Sequence, residues 1–168
     1  MISDQLDATT ARTAHQSHAR QATTSRGRPA PTAVVYVLTV LAAASVLASG
    51  YIHFYLYFRA GYRGIHPASF LGLTISRAFL LNAFASVFVA EALVFSLRRP
   101  RIGAFACLAA IGFAMATLGA YTLSRTMGLL GFTDTHTTAE ALTALVAEVV
   151  VLVVAAALLK IMLVNTSR

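Results

Sequence analysis

The chain has 168 residues, of which 58% are hydrophobic and 11% charged, and its mean hydropathy is +0.73. A soluble domain carries about 25% charged residues, so this composition excludes one and points to lipid. The net charge of +7 does not indicate nucleic acid, because the arginines lie in the N-terminal tail and between apolar segments instead of along one folded face.

Residues 1–31 are rich in Thr, Ala, Ser, Gln and Arg and show no apolar period. Such a segment buries too little surface to order itself, and a disordered basic tail is expected. The first apolar run begins only after about 30 polar residues and is too long for the core of a cleaved leader, so it is expected to stay as an anchor.

Four runs have the roughly 20 residues needed to cross a hydrocarbon core of about 30 Å as helices. They span about Thr32 to Phe58, Ala78 to Leu97 (with an earlier start near Phe70 left open), Ile102 to Ser124 and Ala139 to Val164. Backbone groups in lipid must be satisfied within the segment, and no alternation suited to a barrel is present. The expected fold is all-α, a transmembrane four-helix bundle over 32–168. Rows of small residues, Gly112, Ala116 and Ala120 in the third helix and Ala44, Ala48, Ser45 and Ser49 in the first, are expected to pack the bundle.

Basic residues set the orientation. Four tail arginines, Arg98, Arg99 and Arg101 of the RRPR turn, Lys160 and Arg168 fall on one side, and Arg59, Arg63, Arg77 and Arg125 on the other. The richer side is expected to be cytoplasmic, with both termini inside an inner, multi-pass membrane location.

Ionisable groups within the spans are few, and each one needs a partner or a purpose. In YIHFYLYFRAGYRGIH, His53 shares a helix face with Ser49 and Tyr57 at i−4 and i+4, while Tyr51, Tyr55 and Tyr57 fit an interfacial aromatic belt. Asn82 and Glu91 fall on opposite faces of the second helix, and Glu91 is expected to reach the RRPR turn or Lys160. Glu148 lies near mid-depth in TALVAEVVVLVV, where nothing close in sequence can pair with it. Its expected partners come from other helices, so His53, Arg77, Arg125 and Glu148 form a candidate intramembrane polar cluster in the outer half. That cluster has a structural reading, fixing how the helices pack, and a functional one, handling protons, an anion or a quinone headgroup.

The loop GLLGFTDTHTTAEAL places Asp134, His136 and Glu140 close together, with His66 as a possible third metal ligand from the other loop. A helix start capped by Thr137 or Thr138, with Glu140 in its first turn, explains the pattern better than a metal site. Cys107 is the single cysteine, and no intrachain disulfide is possible. His53 is the only histidine in a span, which disfavours a haem held by two transmembrane histidines. No phosphate loop, nucleophile elbow or zinc-hydrolase motif is present, so nucleotide hydrolysis and serine or zinc hydrolysis have no motif support; the cofactor is left open, and a non-enzymatic role is the expected one.

The pieces GYIHFYLY, GYR and IHP, FLLNAFAS, LSRTMGLLGFTDT and AEVV resemble a family of small four-helix membrane proteins common in actinobacteria, loosely grouped with DoxX-like bundles. The resemblance covers about Ser49 to Leu152. It implies the same topology, places His53, Arg125 and Glu148 in the parts by which the family is recognised, and through the DoxX-like link implies a quinone or thiosulfate redox role. The sequence therefore leads to a non-enzymatic accessory or interaction subunit of a membrane complex, in contact with lipid and with a protein partner or a second copy. The alternative is a small transport or redox module built on the polar cluster.

Overall fold

The computed structural model describes residues 32–64, 68–136 and 138–166. The tail expected at 1–31, with His66 and Thr137, lies outside the described residues. Four helices follow one another: α1 (Ala33–Arg59), α2 (Ile75–Ser96), α3 (Pro100–Thr126) and α4 (Ala139–Thr166), with one 3₁₀ turn at Tyr62–Gly64 after α1. Each α helix contains a window apolar and long enough to span a bilayer, and no more than 33% of any such window is buried inside the bundle. The remaining apolar surface is stable only against lipid, and the chain is a multi-pass membrane protein.

The helix starts follow capping chemistry. Thr32 accepts from the Val35 N–H, Thr74 from Arg77 and Thr138 from Ala141, while Pro100 opens α3, where its missing N–H costs nothing. The start of α2 at Ile75 is three residues earlier than the one read from Ala78, because apolar periodicity does not mark the polar first turn that Thr74 caps.

The helices form a square. α1 packs on α2 and α4, and α3 packs on the same two; α1 and α3 barely meet across the diagonal, and α2 and α4 do not touch. Successive helices run antiparallel, with the RRPR turn and the C-terminus at one end and the two longer loops at the other. We call these the turn end and the loop end.

The core concentrates in the half near the turn end. Ala42, Ala43 and Val46 of α1, Leu93 of α2, Ala106, Cys107 and Ala110 of α3, and Val151, Ala155 and Leu158 of α4 are buried there. In α3 the row that packs is Ala106, Ala110 and Ala114, one face round from the Gly112, Ala116 and Ala120 row read from the sequence. A Cβ at Gly112 would meet nothing within 4 Å. In α1, Ala44 and Ala48 face outward, and the close approach is at Gly50, where a Cβ would overlap the Ser86 side chain of α2. Small-residue spacing recurs on several faces of an alanine-rich helix and does not by itself say which face is inside.

Both loops carry the same device. Phe70 and Leu73 exchange backbone hydrogen bonds of 3.1 and 2.9 Å, and Leu129 and Phe132 do so at 2.8 and 2.9 Å. Between them Leu71 and Gly72, and Leu130 and Gly131, all have φ from 50° to 77°. Two central residues with positive φ define a type I′ turn, which favours glycine and strains leucine.

Candidate functional site

Above the dry core, toward the loop end, the bundle opens into a cavity of about 320 Å³. Its polar lining comes from every helix: His53 from α1, Asn82 from α2, Thr117 from α3 and Glu148 from α4. At 1.5 Å per residue, all four lie within about 15 Å of their loop-end termini, in the half of the membrane nearer the loops. Space exists because alanines line it, Ala78 and Ala85 of α2, Ala116 and Ala120 of α3, Ala141 and Ala144 of α4. Leu81 and Ala116 are exposed lining residues on neighbouring helices, so the cavity meets its surroundings at the α2–α3 seam, at the depth of the hydrocarbon.

Glu148 is 1% exposed and lies on the cavity floor. The Ser49 hydroxyl donates to its Oε1. Its other oxygen, Oε2, is buried and makes no hydrogen bond among the described residues, although the Thr117 hydroxyl of α3 stands close enough to the carboxyl to interact with it. Ser49 also links Glu148 to His53, whose Nδ1 stands 2.8 Å from the Ser49 carbonyl. A carbonyl only accepts, so Nδ1 carries the proton and, in the neutral ring, Nε2 is left as an acceptor. The imidazole packs against Phe79 with ring centroids 5.2 Å apart.

The opposite wall repeats this pattern. Asn82 Nδ2 donates to the Thr117 hydroxyl at 2.6 Å, and that hydroxyl passes its own hydrogen to the Phe113 carbonyl at 3.0 Å. The amide orientation is therefore set: nitrogen faces Thr117, and the buried oxygen Oδ1 has no hydrogen-bond partner among the described residues.

Tyr62 covers the loop end. It stacks on Phe79 at 4.6 Å and meets Phe132 edge-on at 5.7 Å. Burial raises its pKa above the ordinary value of 10.0, and the negative charge of Asp134 raises it further.

The four residues read as a cluster separate into a pair and two singletons. His53 and Glu148 line the same cavity and share Ser49. Arg77 donates to the Gly72 carbonyl at 2.6 Å, bracing the first loop turn, and is exposed. Arg125 stands 3.9 Å from Asp134 and 6.0 Å from the Tyr121 ring, and it does not line the cavity. Both arginines sit at helix ends where loop carbonyls and an acidic loop residue lie nearer than the buried carboxylate. Asp134 also accepts the His136 N–H at 3.1 Å, so the Asp–His spacing builds a turn. Among the described residues no three His, Cys, Asp or Glu side chains come together.

Ser49 as the Glu148 partner, the Asn82–Thr117 pair and Tyr62 complete the site, and sequence reading did not assign them to it. Ser49 was visible as the i−4 neighbour of His53; the cross-helix pairs had no sequence signal. No protein-family model, curated protein or solved structure matches the chain.

Proposed function

We infer that the protein is a small membrane carrier or redox module whose loop-end cavity takes up a lipid-soluble molecule with a hydrogen-bond-donating end. The observation that carries this reading is the pair of buried oxygens, Glu148 Oε2 and Asn82 Oδ1, that make no hydrogen bond among the described residues and belong to the lining of one largely apolar cavity. A buried acceptor left unmade costs about 1–3 kcal/mol, and two on one cavity fit a site that a ligand completes. His53 Nε2 supplies a third acceptor. Hydroxyl or amine donors suit this set, as in a hydroquinone, and a translocated proton suits it as well. An anion fits poorly, because neither Arg77 nor Arg125 belongs to the cavity lining and the carboxyl groups that do, those of Glu148 and Asp134, are acidic.

The α2–α3 seam gives an apolar body a path from the bilayer. In this reading the loop end faces outward and both termini lie in the cytoplasm of an inner-membrane protein, following the basic-residue bias. The resemblance to small actinobacterial, loosely DoxX-like bundles belongs to the same proposal, since it implies a quinone-linked role.

Equilibrium binding to the protein in lipid nanodiscs tests it, with a labelled short-chain hydroquinone and its dimethyl ether as ligands. The hydroquinone is expected to bind at least about tenfold tighter than the ether, and Glu148→Leu and Asn82→Leu each to remove most of that difference. Equal binding of the two ligands, or a Glu148→Leu variant that binds like the original chain, rejects the reading.

The accessory-subunit reading rests on a different surface, the open lipid-facing groove between α1 and α2. Purification in mild detergent separates the two readings. A co-purifying partner protein favours the subunit, and a chain carrying a bound small molecule favours the carrier.

A further inference from the structure

Two opposite charges lie on lipid-facing surfaces near the turn end. Glu91 of α2 is exposed in the groove between α1 and α2, among Tyr36, Val40, Leu47, Phe88, Phe95 and Arg98. Lys160 is exposed on α4, in line with the outward-facing Val146, Val149 and Val153. Among the described residues the one ion pair is that of Arg125 with Asp134, so neither Glu91 nor Lys160 is paired within 4.0 Å there. The contact expected of Glu91 with the RRPR turn or with Lys160 is not made.

Within one copy Glu91 and Lys160 cannot meet. α2 and α4 occupy opposite corners of the square and do not touch. Their depths nevertheless match. Gly103 of α3 lies beside both Ser96 of α2 and Met162 of α4, which places those two residues at one level. Glu91 is five residues from Ser96 and Lys160 two from Met162, both toward the loop end. At 1.5 Å per residue the two charges are about 7.5 and 3 Å beyond that level, and the flexible lysine stem spans the difference. Arg98, in the same groove, is exposed beyond the end of α2 and lies nearer the turn end than Glu91.

We propose that the protein self-associates head to tail in the membrane, the α4 face of one copy seated in the α1–α2 groove of the next with Lys160 against Glu91. A lipid-facing charge is costly in hydrocarbon, and a pair at one depth removes both costs in a single contact. The donor face and the acceptor groove are different surfaces, so the contact is heterologous. Copies sharing one orientation in a membrane then form a ring where the rotation between neighbours closes, and an open row where it does not.

Two differently tagged full-length chains, one with Glu91→Cys and the other with Lys160→Cys, are co-expressed and oxidised in the membrane. Cys107 is buried and does not interfere. A cross-linked species carrying both tags is expected, stronger than the product of either variant alone. In a proximity assay between labelled copies, Glu91→Lys and Lys160→Glu should each weaken association about tenfold or more, and the double reversal should restore it. The restored double variant separates a lost contact from a lost fold. A chain that stays monomeric, an equally strong cross-link between two Glu91→Cys copies, single reversals without effect, or a groove occupied by a different protein overturns the proposal.

Discussion

The two halves of this bundle use the same helices to opposite ends. Near the turn end, alanines on α1, α3 and α4 let backbones approach until Leu93, Val151 and Leu158 fill what is left, and the buried hydroxyls of that half, on Thr39 and Ser96, each donate to a carbonyl of their own helix. Near the loop end, alanines on the neighbouring faces leave a cavity, and its polar residues are hydrogen-bonded on one side and open on the other. The same residue type closes one half and opens the other because of what stands opposite. In lipid, where helices gain little from excluding water, packing is the main source of bundle stability. The dry half thus holds the fold, and the open half is where the proposed ligand is placed.

The largest expected effects test that division directly. Leu158 is fully buried in the dry half, whereas Leu145 is half-buried on the cavity wall one helix face away. Leu158→Ala should cost about 2–5 kcal/mol and lower the unfolding midpoint in detergent sharply, because the void cannot collapse between four packed helices. Leu145→Ala extends a space that already exists and should cost clearly less. Equal losses would mean that the cavity half is as tightly built as the core.

A smaller, sharper contrast runs along α3. Ala110→Leu forces a side chain into a site with no room and should cost about 1–3 kcal/mol. Ala120→Leu, nearly three turns on, places the same side chain in the cavity. Thermal unfolding should change by no more than about 0.5 kcal/mol, while hydroquinone binding falls. A stable Ala110→Leu variant breaks the comparison from the other side.

The architecture was legible because the bilayer imposes it: span length, the tight RRPR turn and the cap of α4 are local signals, and the four helices follow from them, whereas the Thr74 cap of α2 was hidden by its polar first turn. Depth was legible too, which is why Glu148 and His53 stood out as costly groups in the same half. Helix rotation was not. Arg77 and Arg125 lay at the right height for the cluster, but their direction depended on a Gly72 carbonyl and on Asp134, both supplied by loops. Likewise the Ser49–Glu148 link joins residues 99 apart in the chain, and no local pattern announces it.

The smallest effect is a titration, and it asks whether the loop-end half responds to charge independently of the core. Tyr62 closes the cavity with its phenol held above the ordinary pKa of 10.0, first by burial and then by Asp134. Because the folded value is the higher one, the fold favours the neutral phenol. That contribution is complete below pH 10 and is lost as the pH rises from there through the folded pKa. Asp134→Asn should bring the phenolate midpoint part of the way back, and burial should keep it from returning fully. Ultraviolet difference titration, with Tyr62→Phe to identify the signal, reads both. An unmoved midpoint in Asp134→Asn would detach the loop carboxylate from the cavity lid. The same titration in Leu158→Ala supplies the control that gives the result its meaning: if the halves are separate, emptying the dry core lowers the unfolding temperature and leaves the Tyr62 midpoint where it was.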